Sequence, residues 1–90
     1  MKIYQLNRIT DKKGFIKTDE YSKERLNKEF TIYHCEIGFQ GLFDYIGEYK
    51  TMFTTPIENI VEWENVLIVA TENTVYYFME NGDTDNEQTN

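Results

Sequence analysis

The strongest constraint on the fold lies in residues 49–80, YKTMFTTPIENIVEWENVLIVATENTVYYFME, where apolar, β-branched and aromatic runs are separated by Glu-Asn pairs at an even spacing. The pairs are Glu64-Asn65, Glu72-Asn73 and Glu80-Asn81. Asn tolerates the left-handed backbone that a tight hairpin needs, so Glu-Asn between such runs reads as a turn. Strands are predicted over residues 49–55, 57–63, 66–71 and 75–80, with Pro56 breaking the ladder between the first two because it has no N–H to donate. Together they form an antiparallel meander.

Alternation assigns the faces. In residues 57–63, Glu58 and Glu62 fall on one side, continued by Glu64, and Ile57, Val61 and Trp63 on the other, with Ile60 as the exception on the acidic side. The run Val66, Leu67, Ile68, Val69, Ala70 is apolar on both faces and is expected to be central and covered twice, by barrel closure or by a helix. Ninety residues make one domain, predicted as a globular β domain over residues 1–80. Seven Tyr, six Phe and Trp63 supply the burial that few Leu and Ala would leave lacking.

Earlier in the chain, residues 2–10 alternate as a strand, and Asp11-Lys12-Lys13-Gly14 reads as a hairpin loop with Gly14 in the left-handed position and a short return over residues 15–18. Thr18 or Asp19 caps a polar helix over residues 19–29, with Glu24 and Lys28 four apart, an exposed loop being the alternative. Residues 30–37 read as a strand whose inward face carries Thr31, Tyr33, Cys35 and Ile37. Residues 38–47 hold three glycines among a cluster of rings and read as a loop folded over one barrel end, or as an aromatic contact surface made by Phe39, Phe43 and Tyr45. Residues 81–90 have no apolar side chain and are expected to be a disordered acidic tail.

Charge is unevenly placed. Residues 1–30 carry eight Lys and Arg against five Asp and Glu, whereas residues 31–90 carry Lys50 alone against eleven acids, a balance of −10. This lets the basic segment pack beside an acidic sheet, or marks an acidic face for a basic partner. Net −7 opposes direct phosphate binding, although the hairpin around Lys12, Lys13 and Lys17 is basic.

Signatures of chemistry are scarce. His34 and Cys35 are adjacent, so on a strand they point to opposite faces and form neither a nucleophile pair nor a shared metal site. One His and one Cys fall short of the four ligands of a zinc site. Glu62 and Glu64 as acid and base, or residues 83–87 as a calcium loop, lack the required setting, and no glycine-rich phosphate loop is present. No catalytic residue, cofactor or metal is expected. The single Cys35, the polar start MKIYQLNRIT and the lack of an apolar run of membrane length point to a soluble, reducing, cytoplasmic setting with no membrane partner.

The run Thr71-Glu72-Asn73-Thr74-Val75-Tyr76-Tyr77-Phe78, preceded by Thr54-Thr55-Pro56, resembles the ends of small accessory proteins of bacteriophages and other mobile elements of low-G+C bacteria. The resemblance covers residues 54–80 and implies a non-enzymatic protein, some of whose kind bind and inhibit host enzymes that handle nucleic acid.

The fold expected is mainly β, a small antiparallel meander closing into a bent sheet or open barrel with at most one short helix. Two functions follow. In the first, a protein-binding module docks Glu58, Glu62, Glu64 and Glu72, with Glu48 and Glu80 nearby and Phe39, Phe43 and Tyr45 as apolar contacts, on a basic nucleic-acid-handling protein, as anti-restriction and anti-CRISPR inhibitors do. In the second, a structural or regulatory protein self-associates, as a homodimer for instance, through the open edge of residues 2–10 or 75–80.

Overall fold

Alternating apolar side chains in short runs can bury one face by curling a sheet upon itself, and this chain does so completely. The computed structural model describes residues 1–83, which form β1 (Lys2–Thr10), α1 (Glu20–Arg25), β2 (Glu29–His34), β3 (Gln40–Tyr45), β4 (Thr51–Trp63), β5 (Val66–Thr71) and β6 (Val75–Asp83). Consecutive strands pair antiparallel, and β6 pairs with β1 to close the ring. The mainly β meander with one short helix is therefore the fold, and its closure is complete. Pairing of β1 with β6 also occupies the two edges on which sheet-edge self-association was expected to rest.

Bulges make the curvature. The β1–β6, β2–β3, β3–β4 and β4–β5 seams each contain a register shift, and an extra residue on one strand bends it and increases its twist. Two of these shifts straddle Pro56, between the Gln40 and Leu42 pairings and between the Ile57 and Asn59 pairings. Pro56 thus does not split two strands as expected. It sits at the corner of one long strand, β4, whose first half pairs with β3 and whose second half pairs with β5. A proline fits there because the corner is where a ladder hydrogen bond is already given up.

Rings fill the interior. Phe30, Phe43 and Phe78 are fully buried with Leu6, Met52, Ile57 and Val69. Phe78 meets Tyr4 and Phe30 edge-on at 6.3 and 6.1 Å, and Phe30 lies 4.5 Å from Tyr45. Phe43 and Tyr45 come from β3, so residues 40–45 are a strand and not the loop expected from the glycines. Gly38 and Gly47 take positive φ outside its ends, while Gly41 lies inside it, where a Cβ would meet the Phe43 ring at 2.8 Å and the Thr54 hydroxyl at 2.9 Å.

Turn chemistry follows the Glu-Asn pattern only in part. Glu64-Asn65 turns β4 into β5, but the positive φ of 54° falls on Glu64 and not on the Asn. Glu72-Asn73 turns β5 into β6, closed by Thr71 N–H to the Thr74 carbonyl at 2.8 Å. Glu80-Asn81 is no turn, because β1 supplies a partner strand, with Tyr4 opposite Glu80 and Lys2 opposite Asp83. The disordered segment expected over residues 81–90 is strand over 81–83, and residues 84–90 lie outside the described residues.

The segment between β1 and β2 closes the other end. Asp11 accepts the N–H groups of Lys13 and Phe15, and Gly14 takes a φ of 94°, as the loop chemistry suggests, but residues 15–18 contribute one bridge, Ile16 to Thr10, instead of a strand. Asp19 caps α1, which stops at Arg25 before Asn27 turns to a φ of 67°, well short of residue 29. Glu24 accordingly bonds Tyr45 and Lys50, not Lys28, whose partner is Glu48.

Candidate docking face

The bulge at Glu58 decides which side chains of β4 face water. Ile57 pairs with buried Thr71, and one extra residue later Asn59 pairs with Ala70, so the inside and outside positions exchange. Beyond it Ile60 packs against the core, while Val61 and Trp63 point outward with exposures of 44% and 71%. This reverses the faces expected from alternation, which had Val61 and Trp63 inside.

Two cross-strand rows result. Trp63, Val66 and Met79 lie side by side across β4, β5 and β6, and Val61, Ile68 and Tyr77 form the next row. Neighbours in such rows have Cβ atoms roughly 5 Å apart, close enough to make one continuous apolar surface. Leu67 and Val69 point into the barrel, but Val66, Ile68 and Ala70 on the opposite face of β5 are only half-buried. The double covering expected of residues 66–70 is thus single: barrel closure supplies the inner cover, and the helix lies elsewhere. Arg8 borders the face, its guanidinium 5.3 Å from the Tyr77 ring centroid.

The expected acidic residues frame this face at its two ends and do not form one cluster. Glu58 lies at the end near Glu72, where Lys12 donates to the Glu58 carboxylate at 3.0 Å and to the Thr71 carbonyl at 2.8 Å. Glu64 is in the turn at the opposite end, and Glu62 pairs with Leu67 on the inward register yet is exposed, past the core. Glu80 pairs with Lys2 at 3.4 Å and Glu48 with Lys28 at 3.6 Å, so both are engaged within the chain.

The aromatic surface expected of Phe39, Phe43 and Tyr45 is not formed. Phe43 and Tyr45 are core residues, since β3 alternates and its odd-numbered positions face inward, while Phe39 alone is exposed, 5.7 Å from the His34 ring. Of the residues that sequence reasoning missed, Val61, Trp63, Val66, Ile68, Tyr77 and Met79, only Val66 and Ile68 carried a signal, the apolar run on both sides of β5. That signal has a second meaning, an outer face left bare.

Reactive groups are few. In β2 Phe30 and Ile32 face inward and Tyr33 outward, opposite to expectation, and the bulge before His34 then turns Cys35 toward the core. Burial, with a smaller effect from Glu62, pushes the Cys35 thiol above its ordinary range and away from the reactive thiolate. His34 Nε2 is covered and lies 3.2 Å from a Glu36 carboxylate oxygen without hydrogen-bond geometry. Among the described residues no three His, Cys, Asp or Glu side chains converge as a metal site requires, and no helix is long and apolar enough to cross a membrane.

No protein-family model, no curated protein and no solved structure matches this chain.

Proposed function

We propose that this chain is a non-enzymatic protein-binding module whose outward face of β4, β5 and β6 docks on a protein with a basic surface. The observation that carries the reading is the pair of outward apolar rows, Trp63-Val66-Met79 and Val61-Ile68-Tyr77, on a sheet flanked by Glu72 and the Lys12-paired Glu58 at one end and Glu64 at the other. An apolar centre gives affinity, and an acidic margin gives orientation and a faster encounter with a cationic partner. The −10 balance of residues 31–90 sets the sign of that partner. Proteins that handle nucleic acid present such basic surfaces, and occupying one would make this chain a competitive inhibitor of the kind mobile elements encode.

The test is capture of partners from a low-G+C bacterial lysate at two salt concentrations, with the native chain and with Val61→Ser/Trp63→Ser. A basic protein retained by the native chain, released by salt and lost with the double variant is the expected result. Retention unchanged by the substitutions would sink the reading. Concentration-dependent dimerisation in light scattering, abolished by the same substitutions, would assign the face to a second copy instead.

A further inference from the structure

The barrel end opposite the β4–β5 turn holds a polar cleft of about 350 Å³ between the segment leading into α1 and the β5–β6 turn. Its volume is in the range of small-molecule sites, roughly 300–1,000 Å³. Thr54, Thr71 and Thr74 are buried around it, with hydroxyls in place of the apolar side chains found elsewhere in the interior. One wall carries Lys17, Thr74, Arg25 and Tyr76, with Lys17 Nζ donating to the Thr74 hydroxyl at 2.9 Å and the Arg25 guanidinium 5.8 Å from the Tyr21 ring centroid.

Among the described residues Lys17 and Arg25 stand out as the half-buried cations without an ion-paired carboxylate, since Arg8, Lys13 and Lys23, which also lack one, are exposed. Lys2, Lys12, Lys28 and Lys50 each lie within ion-pair distance of a glutamate, whereas among the described residues Lys17 and Arg25 have none, although both are half-buried in a chain of net charge −7. The carboxylate that does line the cleft, Asp19, is turned to Ser22, accepting from its N–H at 3.0 Å and its hydroxyl at 2.9 Å, and the Lys17 charge reaches it only from beyond ion-pair distance. A half-buried cation without a counter-charge is costly, and two of them on one wall balance one dianion. Tyr21 and Phe53 stand at the mouth, 75% and 55% exposed, as two aromatic faces.

We infer that this cleft is a binding site for a phosphate monoester that carries a planar ring, the class of a nucleoside monophosphate. The phosphate takes Lys17 and Arg25 as its counter-charges and donors, since the Thr54 and Thr71 hydroxyls are given to the Thr55 and Thr74 carbonyls, and the ring lies against Phe53 or the face of Tyr21 that Arg25 leaves open. Two cations suit a monophosphate better than a triphosphate, whose extra charge would face Asp19. The cleft adjoins the end of the docking face that carries Glu72, and its reading does not depend on the docking reading.

Titration of the isotope-labelled full chain with adenosine 5′-monophosphate, adenosine or inorganic phosphate, followed by amide chemical shifts, decides the matter. The expected result is saturable shifts at Lys17, Arg25, Thr74 and Tyr76 with the monophosphate, and weaker binding of each of its two parts. Lys17→Met and Arg25→Met should each weaken binding by about tenfold, the scale of one charge-assisted hydrogen bond, while Lys13→Met outside the cleft leaves it unchanged. Thermal melting of each variant separates loss of the site from loss of the fold, and the native titration stands whether or not a variant folds. Inorganic phosphate binding as tightly as the monophosphate would overturn recognition of the ring, and adenosine doing so would overturn recognition of the phosphate. Absence of saturable shifts, or equal weakening by Lys13→Met, would overturn the site.

Discussion

Phe43 stacks on Phe78 across the barrel interior, ring centroids 4.9 Å apart and planes 22° from parallel, although their strands stand three places apart in the ring. The contact ties opposite walls together, and Phe78 also touches Tyr4 and Phe30, so one ring of β6 links β1, β2 and β3.

Removing that hub opens a cavity that the closed sheet cannot collapse to fill. Phe78→Ala is expected to lower stability by about 3–5 kcal/mol in urea unfolding. Phe15→Ala, at a ring 67% exposed, should change it by no more than about 0.5 kcal/mol. Equal effects would show that the interior is not packed around Phe78.

Gly41→Ala is expected to destabilise, against the usual gain from replacing a strand glycine. The new Cβ would lie 2.8 Å from a carbon of the buried Phe43 ring, 2.9 Å from the Thr54 hydroxyl that accepts the Gly41 N–H, and 3.2 Å from Ile57. Overpacking of this kind costs about 1–3 kcal/mol. A melting temperature equal to or above that of the native chain would refute the close approach.

Tyr45 and Glu24 couple the helix to the barrel, the phenol donating to the carboxylate at 2.8 Å. Burial first, then this carboxylate, raise the Tyr45 pKa from 10.0 to about 12. A raised folded pKa means stability that is full below pH 10 and lost as pH climbs toward 12. Absorbance titration of the native chain should show a late phenolate step that moves down in Glu24→Gln, and an unmoved step would place the shift on burial alone.

Acid acts through the opposite sign. Hydrogen bonds from Ser22 hold the Asp19 carboxyl below its ordinary range, and those from Lys50 and Tyr45 do the same for Glu24. Both contribute stability present above their unfolded values, near 3.8 and 4.5, and lost as pH falls through the lower folded ones. Asp19→Ala should lower stability by about 1 kcal/mol at neutral pH through loss of the cap, and the difference from the native chain should shrink in acid. A difference constant with pH would show that the cap does not act through its charge.

Trp63 is the only tryptophan and 71% exposed, so its fluorescence reads the docking face directly. The free chain should emit as a water-exposed indole that soluble quenchers reach, and a bound partner should shift the emission to shorter wavelength. Blue, quencher-resistant emission from the free monomer would contradict the outward placement of Trp63.

The meander, its Asp11–Gly14 loop, the Asp19 cap and the apolar run of β5 were legible in the sequence because each rests on local chemistry: a turn residue, a capping carboxylate, a period of two. The ends of the strands and their faces were not. Tyr4 opposite Glu80 continues β6 through a pair that reads locally as a turn, and Gly41 sits in a strand because Phe43 fills the space its side chain leaves. The candidate face was hidden for the same reason. The amino-acid sequence by itself determined that the chain would be mainly β, acidic in its second part and ring-filled. Only the tertiary structure decided which rings are inside. One extra residue at Glu58 turned Val61 and Trp63 from core to surface, because a bulge answers to the curvature of the whole barrel and leaves no mark in the local alternation.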